Sequence, residues 1–172
     1  GDGTLWRGVV IGAVAGFVAA CAYDVFRIPF GGAAIDGVGP DWLRLPLFKV
    51  FPRFGAMVLG ESFDAATTDS QFSLTAHLVG WVYHFSNGVT FGVMHMALVG
   101  DASRRSWWWA VLFATGLELG MLFTPYTSFF GIHMTTRFVI VTFAAHAIFG
   151  VALGLVAKRL SDRWPTAIAR AA

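Results

Sequence analysis

The stretch from Thr75 to Val99 reads TAHLVGWVYHFSNGVTFGVMHMALV. It is longer than the roughly 20 mostly apolar residues that a helix needs to cross a bilayer. Three histidines, His77, His84 and His95, interrupt the apolar run. The pattern His-x-x-x-Gly-x-x-x-Gly begins at His84 and begins again at His146, in the last apolar stretch of the chain. These two stretches predict an all-α, polytopic membrane bundle.

The composition supports a membrane protein. Of 172 residues, 56% are hydrophobic and only 13% are charged, whereas a soluble domain of this length carries about 25% charged residues. Charge is costly in hydrocarbon, so a lipid-facing surface accounts for the deficit. The net charge of +2, with no basic run among aromatics, argues against nucleic acid as a partner. The single cysteine, Cys21, excludes an internal disulfide and a Cys-x-x-Cys metal site.

Four segments are long and apolar enough to span a membrane, and they place residues 1–172 in a single transmembrane domain. The predicted spans are about 5–26, 72–99, 106–123 and 134–157. The 28–70 connection is predicted to be an extracytoplasmic interfacial segment. Within it, Pro40, Pro46 and Pro52 argue against one uninterrupted helix, so we expect short helical pieces on the outer membrane surface.

Positive charge in the flanks predicts the orientation. With four spans, the N-terminus, the 100–105 turn and the C-terminus share one side. That side carries seven cations and the opposite side carries four, which favours both termini in the cytoplasm. The seven are Arg7, Arg104, Arg105, Lys158, Arg159, Arg163 and Arg170. Trp107, Trp108 and Trp109 follow directly after two arginines, as at a membrane interface.

Each predicted span carries a Gly-x-x-x-Gly pair, which lets helix backbones approach closely. The pairs are Gly12/Gly16, Gly88/Gly92, Gly116/Gly120 and Gly150/Gly154. The first and third spans are each followed by a proline at the outer end, and the second and fourth each carry His-x-x-x-Gly-x-x-x-Gly. This repetition suggests two helical hairpins related by a pseudo-two-fold axis. Chance similarity among Gly-, Ala- and Leu-rich segments is the alternative.

Polar side chains inside the spans are the candidate functional residues, because ionisable groups are expensive at that depth. His84 and His146 each lie about 12 residues from the outer end of a span, roughly 18 Å deep, and we expect them to face each other. A second cluster is predicted nearer the outer surface, with Glu118 paired to Arg137. Its members are Asp24, Arg27, His77, Glu118, His133 and Arg137, and Asn87 adds hydrogen-bonding capacity beside His84.

Three interpretations of these groups remain open. They can satisfy one another as interhelical contacts. His84 and His146 can instead ligate a haem b iron or another metal ion axially. A proton or metal path can run through His77, His84, Glu118 and His146, since histidine titrates near neutral pH.

The motif Ala76-His77-x-Val79-x-Trp81-Val82, together with His146 in the last span, resembles the small bacterial inner-membrane proteins of the YagU type. The resemblance implies a multi-pass protein of the bacterial inner (cytoplasmic) membrane, associated with acid tolerance. It supplies no catalytic residues, and soluble-enzyme signatures such as Gly-x-Ser-x-Gly are missing. The leading hypothesis is therefore a non-enzymatic subunit or oligomer-forming membrane protein, whose partners are the lipid bilayer and either other membrane subunits or further copies of itself.

Overall fold

The computed structural model describes residues 2–27, 47–62, 73–132 and 134–164, and all regular secondary structure in this part of the chain is helical. The all-α class is thus confirmed. The helices are α1 (Asp2–Arg27), α2 (Leu47–Leu59), α3 (Leu74–Val99), α4 (Trp108–Leu122), the single turn α5 (Tyr126–Phe129) and α6 (Thr136–Arg163), with a 3₁₀ turn at Ala102–Arg104.

Two of the described helices are long and apolar enough to cross a membrane: α1, over Thr4–Arg27, and α6. Helix α4 is apolar but has only 15 residues. Helix α3 has 26 residues and includes three histidines, and it is not one of the two. The structure therefore supports two spans by length and composition.

Local signals set the ends of α3. The Ser73 hydroxyl oxygen accepts a hydrogen bond from the Ala76 amide, at 3.1 Å, which satisfies one of the free N–H groups of the first turn. At the other end Gly100 adopts a φ of 71° and its amide bonds the Met96 carbonyl oxygen. Only glycine adopts this conformation without strain, so the helix stops there and the chain reverses.

Helices α1 and α6 lie at the centre of the bundle. Helix α3 packs against α1 on one side and against α2 on the other, and α4 packs against α6. The spatial order is therefore α2, α3, α1, α6, α4. Two antiparallel hairpins result, α1–α3 and α4–α6, and they meet along α1 and α6.

Glycines set the separation of α1 and α3. A Cβ atom added at Gly12 would lie 2.7 Å from the Gly92 carbonyl oxygen and 2.7 Å from Val93 Cα. A Cβ atom at Gly16 would overlap the Gly88 carbonyl oxygen, and one at Gly92 would overlap the Gly12 carbonyl oxygen. The two glycine pairs thus face each other and the backbones touch, as small-residue motifs allow.

The second hairpin uses only one of its two glycine pairs. Gly150 and Gly154 of α6 pack on the α4 backbone, where a Cβ atom at Gly150 would lie 2.6 Å from Val111 Cα. Gly116 and Gly120 of α4 have no heavy atom within 4 Å of an added Cβ among the described residues. The expectation that every pair tightens the bundle is wrong for α4, because the pair lies on the face that α6 does not cover.

Helix α2 is a short helical piece within the 28–70 connection. It continues through Pro52 and packs lengthwise on the first half of α3, where Phe51 contacts the Gly80 backbone and Gly55 contacts the Ala76 backbone. These pairs advance in opposite directions along the two helices, so α2 runs antiparallel to α3. The proline does not end the helix, and two glycines allow the close approach.

One end of the bundle is held by Arg7, whose side chain is only 6% exposed. Its guanidinium donates to the carbonyl oxygens of Ser161, at 2.9 Å, and Trp164, and it lies 3.7 Å from the Asp101 carboxylate. Positive charge is favourable at the carbonyl end of a helix. The start of α1, the 3₁₀ turn and the end of α6 therefore meet at the same end of the molecule.

Candidate functional site

The first element of the site is an ion pair between α1 and α3. His84 Nε2 lies 3.0 Å from both carboxylate oxygens of Asp24, and the side chains are 17% and 6% exposed, respectively. A buried carboxylate requires a donor, so Nε2 carries a proton in this arrangement. The remaining ring nitrogen, Nδ1, has no hydrogen-bond partner among the described residues. The close glycine contacts bring the two helices near enough for these short side chains to meet.

The second element is a matching pair between α4 and α6. His146 Nδ1 lies 2.7 Å from Glu118 Oε2 and 2.9 Å from the Thr142 carbonyl oxygen. The Thr142 hydroxyl donates to Glu118 Oε1 at 2.7 Å. Because a carbonyl oxygen only accepts, Nδ1 must carry the proton, and Nε2 is the nitrogen left without a partner in the described part of the chain. Glu118 is completely buried; its Oε1 accepts the Thr142 hydrogen bond, and its Oε2 lies against the His146 ring as a close polar contact.

Each hairpin thus contributes one carboxylate on its first helix and one imidazole on its second. Tyr23 of α1 contacts both imidazoles, with ring centroids 6.1 Å from His84 and 5.1 Å from His146. The two imidazole centroids can therefore be no farther apart than the sum of these distances, about 11 Å. The two pairs belong to one site.

Both imidazoles line a cavity of about 360 Å³, which lies in the range of small-molecule pockets. Most of its wall is aromatic or aliphatic. Its aromatic side chains are Tyr23, Phe51, Phe54, Tyr83, Phe91, Tyr126, Phe138 and Phe149. The Phe51 ring covers His84 at a centroid distance of 4.7 Å, so α2 closes one side of the site.

Two further polar groups of the predicted cluster reach this cavity. Arg27 and Asn87 both line it. The Arg27 guanidinium lies over the Tyr23 ring at 5.3 Å and donates to the Tyr23 hydroxyl at 3.4 Å. No carboxylate lies within 4.0 Å of Arg27 among the described residues. The cavity therefore has a cation in its wall beside the two imidazoles.

The structure regroups the rest of the predicted cluster. Asp24 and Glu118, which we expected in an outer cluster, lie beside His84 and His146. Arg137 does not take the predicted place beside Glu118. It is exposed and precedes His146 by nine residues, roughly 14 Å along the helix, whereas Glu118 contacts His146 and Thr142.

His77 and His95 are buried at 5% and 3% exposure and do not line the cavity, so a path through His77 has no continuous route in this cavity. His133 lies outside the described residues.

Tyr23 and Phe51 are site residues that the sequence reasoning missed. Both sit in apolar stretches without a motif, and their role follows only from the packing of α1 and α2 on α3. A signal for the Asp24–His84 pair was present, since both residues are polar groups in predicted spans, but nothing in the spacing showed which carboxylate meets which imidazole.

A metal centre built from three or more protein ligands does not occur in the described part of the chain, because no three His, Cys, Asp or Glu side chains lie close enough to hold one ion. Each imidazole uses one nitrogen on its carboxylate. This arrangement fixes the tautomer and the orientation of the ring, as it does for histidines that act on a ligand with their other nitrogen.

Comparison with known proteins gives a family assignment. No curated protein and no solved structure matches the chain, and nothing in these comparisons links it to the YagU-type proteins. Residues 45–168 match the DUF6789 family, a family of unknown function. This match includes α2 to α6 and three of the four residues of the two ion pairs. The chain therefore belongs to the DUF6789 family.

Proposed function

We propose that the chain is a four-span protein of the bacterial inner membrane with both termini in the cytoplasm. The proposal is supported by apolar side chains that stay exposed on every long helix. Examples are Leu5 (73% exposed), Val82 (71%) and Ile140 (63%). Such faces are costly in water and favourable against lipid. In this arrangement α3 spans with His84 turned toward Asp24 of α1, and the exposed tryptophans at the start of α4 lie at the interface.

We propose further that this membrane protein binds a small molecule in the cavity between the hairpins. One observation carries the proposal: two imidazoles, each held by its own buried carboxylate, line the same cavity. Histidines that serve only as interhelical contacts need no cavity. A partly open, mostly apolar cavity with a few oriented polar groups in its wall is the usual form of a small-molecule pocket.

The size of the cavity favours a ligand smaller than haem. At about 30 Å³ per water, 360 Å³ corresponds to about a dozen waters, which is a one- or two-ring molecule. The geometry of His84 also argues against haem. Its Nε2 already contacts Asp24, and only Nδ1 is left to coordinate iron. A featureless visible spectrum of the purified protein is the expected result, and a Soret band lost in His146→Ala would replace this proposal with haem binding.

The ligand proposal is tested by filling the cavity. Gly120 lines it and has open space around an added Cβ, whereas Gly116, one turn away on α4, has the same open space and does not line it. Purified protein is extracted with organic solvent and the extract is analysed by mass spectrometry. We expect a bound organic molecule near one per chain in the wild type and in Gly116→Leu, and its loss in Gly120→Leu. Equal amounts in both variants, or no bound molecule in the wild type, would refute ligand binding at this site.

A second function, a subunit or oligomer-forming role, is favoured by Gly116 of α4, which does not line the cavity and has nothing within 4 Å of an added Cβ. The same face exposes Leu112 (49%) and Leu119 (41%), and small residues flanked by leucine allow helices to associate in lipid. Native mass spectrometry from lipid nanodiscs tests it. A dimer or larger assembly that Gly116→Leu converts to monomer supports the role, and a monomeric wild type excludes self-association.

A further inference from the structure

The cavity supplies enough chemistry to name a ligand class, and this inference rests on the proposed ligand-binding function. The volume admits one or two fused rings. Phe51, Phe91 and Phe149 are among the side chains that line it, and aromatic walls favour flat rings that stack or pack edge to face. A ligand that reaches a cavity between membrane helices from the bilayer must itself be lipid-soluble. The body of the ligand is thus a flat, apolar ring system.

The two imidazoles define what the edge of that ring carries. With Nδ1 of His146 committed to Glu118 and Thr142, Nε2 can act on the ligand. In a neutral imidazole Nε2 accepts a hydrogen bond from a hydroxyl group, and in an imidazolium it donates to a carbonyl oxygen. The carboxylate holds the other ring nitrogen, so the imidazole keeps its orientation toward the ligand in either state. His84 offers the same choice at Nδ1, because Asp24 occupies Nε2.

We propose that the cavity binds the head group of a membrane quinone, with a ring oxygen at His146 Nε2 and with His84, Asn87 and Arg27 as further polar contacts. A quinone and its quinol are flat, lipid-soluble rings whose oxygens are carbonyls in one form and hydroxyls in the other. The imidazole–carboxylate pairs match both forms, because each pair can present either a donor or an acceptor to the same oxygen. The Arg27 guanidinium adds a fixed donor to the cavity wall.

The first test is direct binding. The protein is purified in detergent, freed of endogenous lipid, and titrated with a short-chain benzoquinone and with menadione, a naphthoquinone. Trp81 lies next to Phe51, with centroids 4.3 Å apart, so bound quinone should quench tryptophan fluorescence, and calorimetry confirms the stoichiometry. We expect saturable binding of at least one of the two quinones near one per chain. Absence of saturable binding for both would overturn the proposal.

The second test assigns binding to the pairs. His146→Gln should weaken quinone binding about tenfold or more, as loss of one hydrogen bond to a charged group predicts. His95→Gln is the matched control, because His95 is a buried histidine of the bundle that does not line the cavity, and it should bind within about twofold of the wild type. Equal affinities in these two variants would overturn the assignment.

A third variant keeps the proposal testable if His146→Gln does not fold. Gly120→Leu leaves both ion pairs unchanged and should abolish quinone binding, whereas Gly116→Leu should retain it. The quinone proposal and the more general proposal of ligand binding have different contradicting results. If a different molecule, such as a fatty acid, is extracted in stoichiometric amount and neither quinone binds, the quinone proposal fails and ligand binding stands. If nothing is extracted and Gly120→Leu has no effect, both fail.

Discussion

Replacing Gly12 with alanine should separate α1 from α3, because the added methyl group has backbone on three sides. Its Cβ would lie 2.7 Å from the Gly92 carbonyl oxygen, 2.7 Å from Val93 Cα and 2.8 Å from the Gly92 carbonyl carbon. Ordinary van der Waals contact begins near 3.4 Å, so the helices must move apart by about 0.7 Å. Backbone atoms cannot rotate away, unlike the end of a flexible side chain.

The magnitude follows from two opposing effects. Overpacking of this kind costs about 1–3 kcal/mol, whereas exchanging glycine for alanine inside a helix gains up to about 1 kcal/mol. Gly8 is the matched control, since it lies one turn earlier on α1 and has nothing within 4 Å of an added Cβ. Gly8→Ala should therefore keep only the gain. The unfolding free energies of Gly12→Ala and Gly8→Ala should differ by about 1–3 kcal/mol.

The assay is reversible unfolding in mixed micelles, followed by circular dichroism as the denaturing detergent fraction rises. Gly12→Ala should unfold at a lower fraction than Gly8→Ala. Agreement of the two variants within about 0.5 kcal/mol would refute the reasoning, because it would mean that α1 and α3 do not pack through their glycines.

Three further outcomes are expected. Partial burial alone would raise the pKa of Asp101, but hydrogen bonds from Ser103 and the charges of Arg7 and Arg104 outweigh burial and lower the pKa. The resulting stability is present above the unfolded-state pKa of about 3.9 and is lost as the pH falls through the folded-state pKa. Asp101→Asn should therefore flatten an acid-unfolding curve measured below about pH 5, and an unchanged curve would contradict this. Arg7→Met should lower the free energy of unfolding by about 3–5 kcal/mol, because it removes the buried donor to the end of α6. Arg105→Met, at an exposed position, should change it by less than about 0.5 kcal/mol. Equal effects would contradict the role of Arg7 in joining α1 to the end of α6. In a Cys21→Ser background, Ser62→Cys and Ser106→Cys, both at exposed positions, should react with a membrane-impermeant maleimide from opposite sides of sealed vesicles, and labelling from one side would exclude the four-span arrangement.

The glycine pattern shows how far sequence reasoning reached. Pairs four residues apart indicate which face of a helix can approach another, and the pairs of α1, α3 and α6 pack in that way. The pattern could not show that the pair on α4 stays uncovered, because a small-residue face is equally suited to a neighbour in the same chain or to a partner. That distinction depends on how α4 rotates against α6, where Ala110 and Ala114 supply the small residues instead.

The pairing of Glu118 shows why the site itself was harder to predict. Helix α4 ends four residues after Glu118, roughly 6 Å farther along the axis, whereas α6 begins ten residues before His146, roughly 15 Å away. The two residues meet only because the connection between the helices, including α5, covers the difference. Residue counts from predicted span ends placed them at different depths, and no local pattern reveals an offset made by a tertiary connection.

Helix α2 shows a local preference of proline that tertiary packing overrides. Proline lacks an N–H group and disfavours a helix interior, which led to the prediction of short surface pieces. Helix α2 nevertheless passes through Pro52, and burial of Phe51 (2% exposed) and Phe54 (5%) against α3 compensates for the missing hydrogen bond. Local propensity gives way here to tertiary packing.

Each histidine of the site should be held by its own carboxylate, and double-mutant cycles measure this directly. Unfolding free energies are determined for Asp24→Asn, Glu118→Gln, His84→Gln, His146→Gln and the four double variants that combine one carboxylate with one histidine. We predict coupling energies of about 1–3 kcal/mol for Asp24 with His84 and for Glu118 with His146, and much smaller ones for the crossed combinations. Coupling below about 0.5 kcal/mol within the pairs, or equally strong coupling across them, would contradict the account.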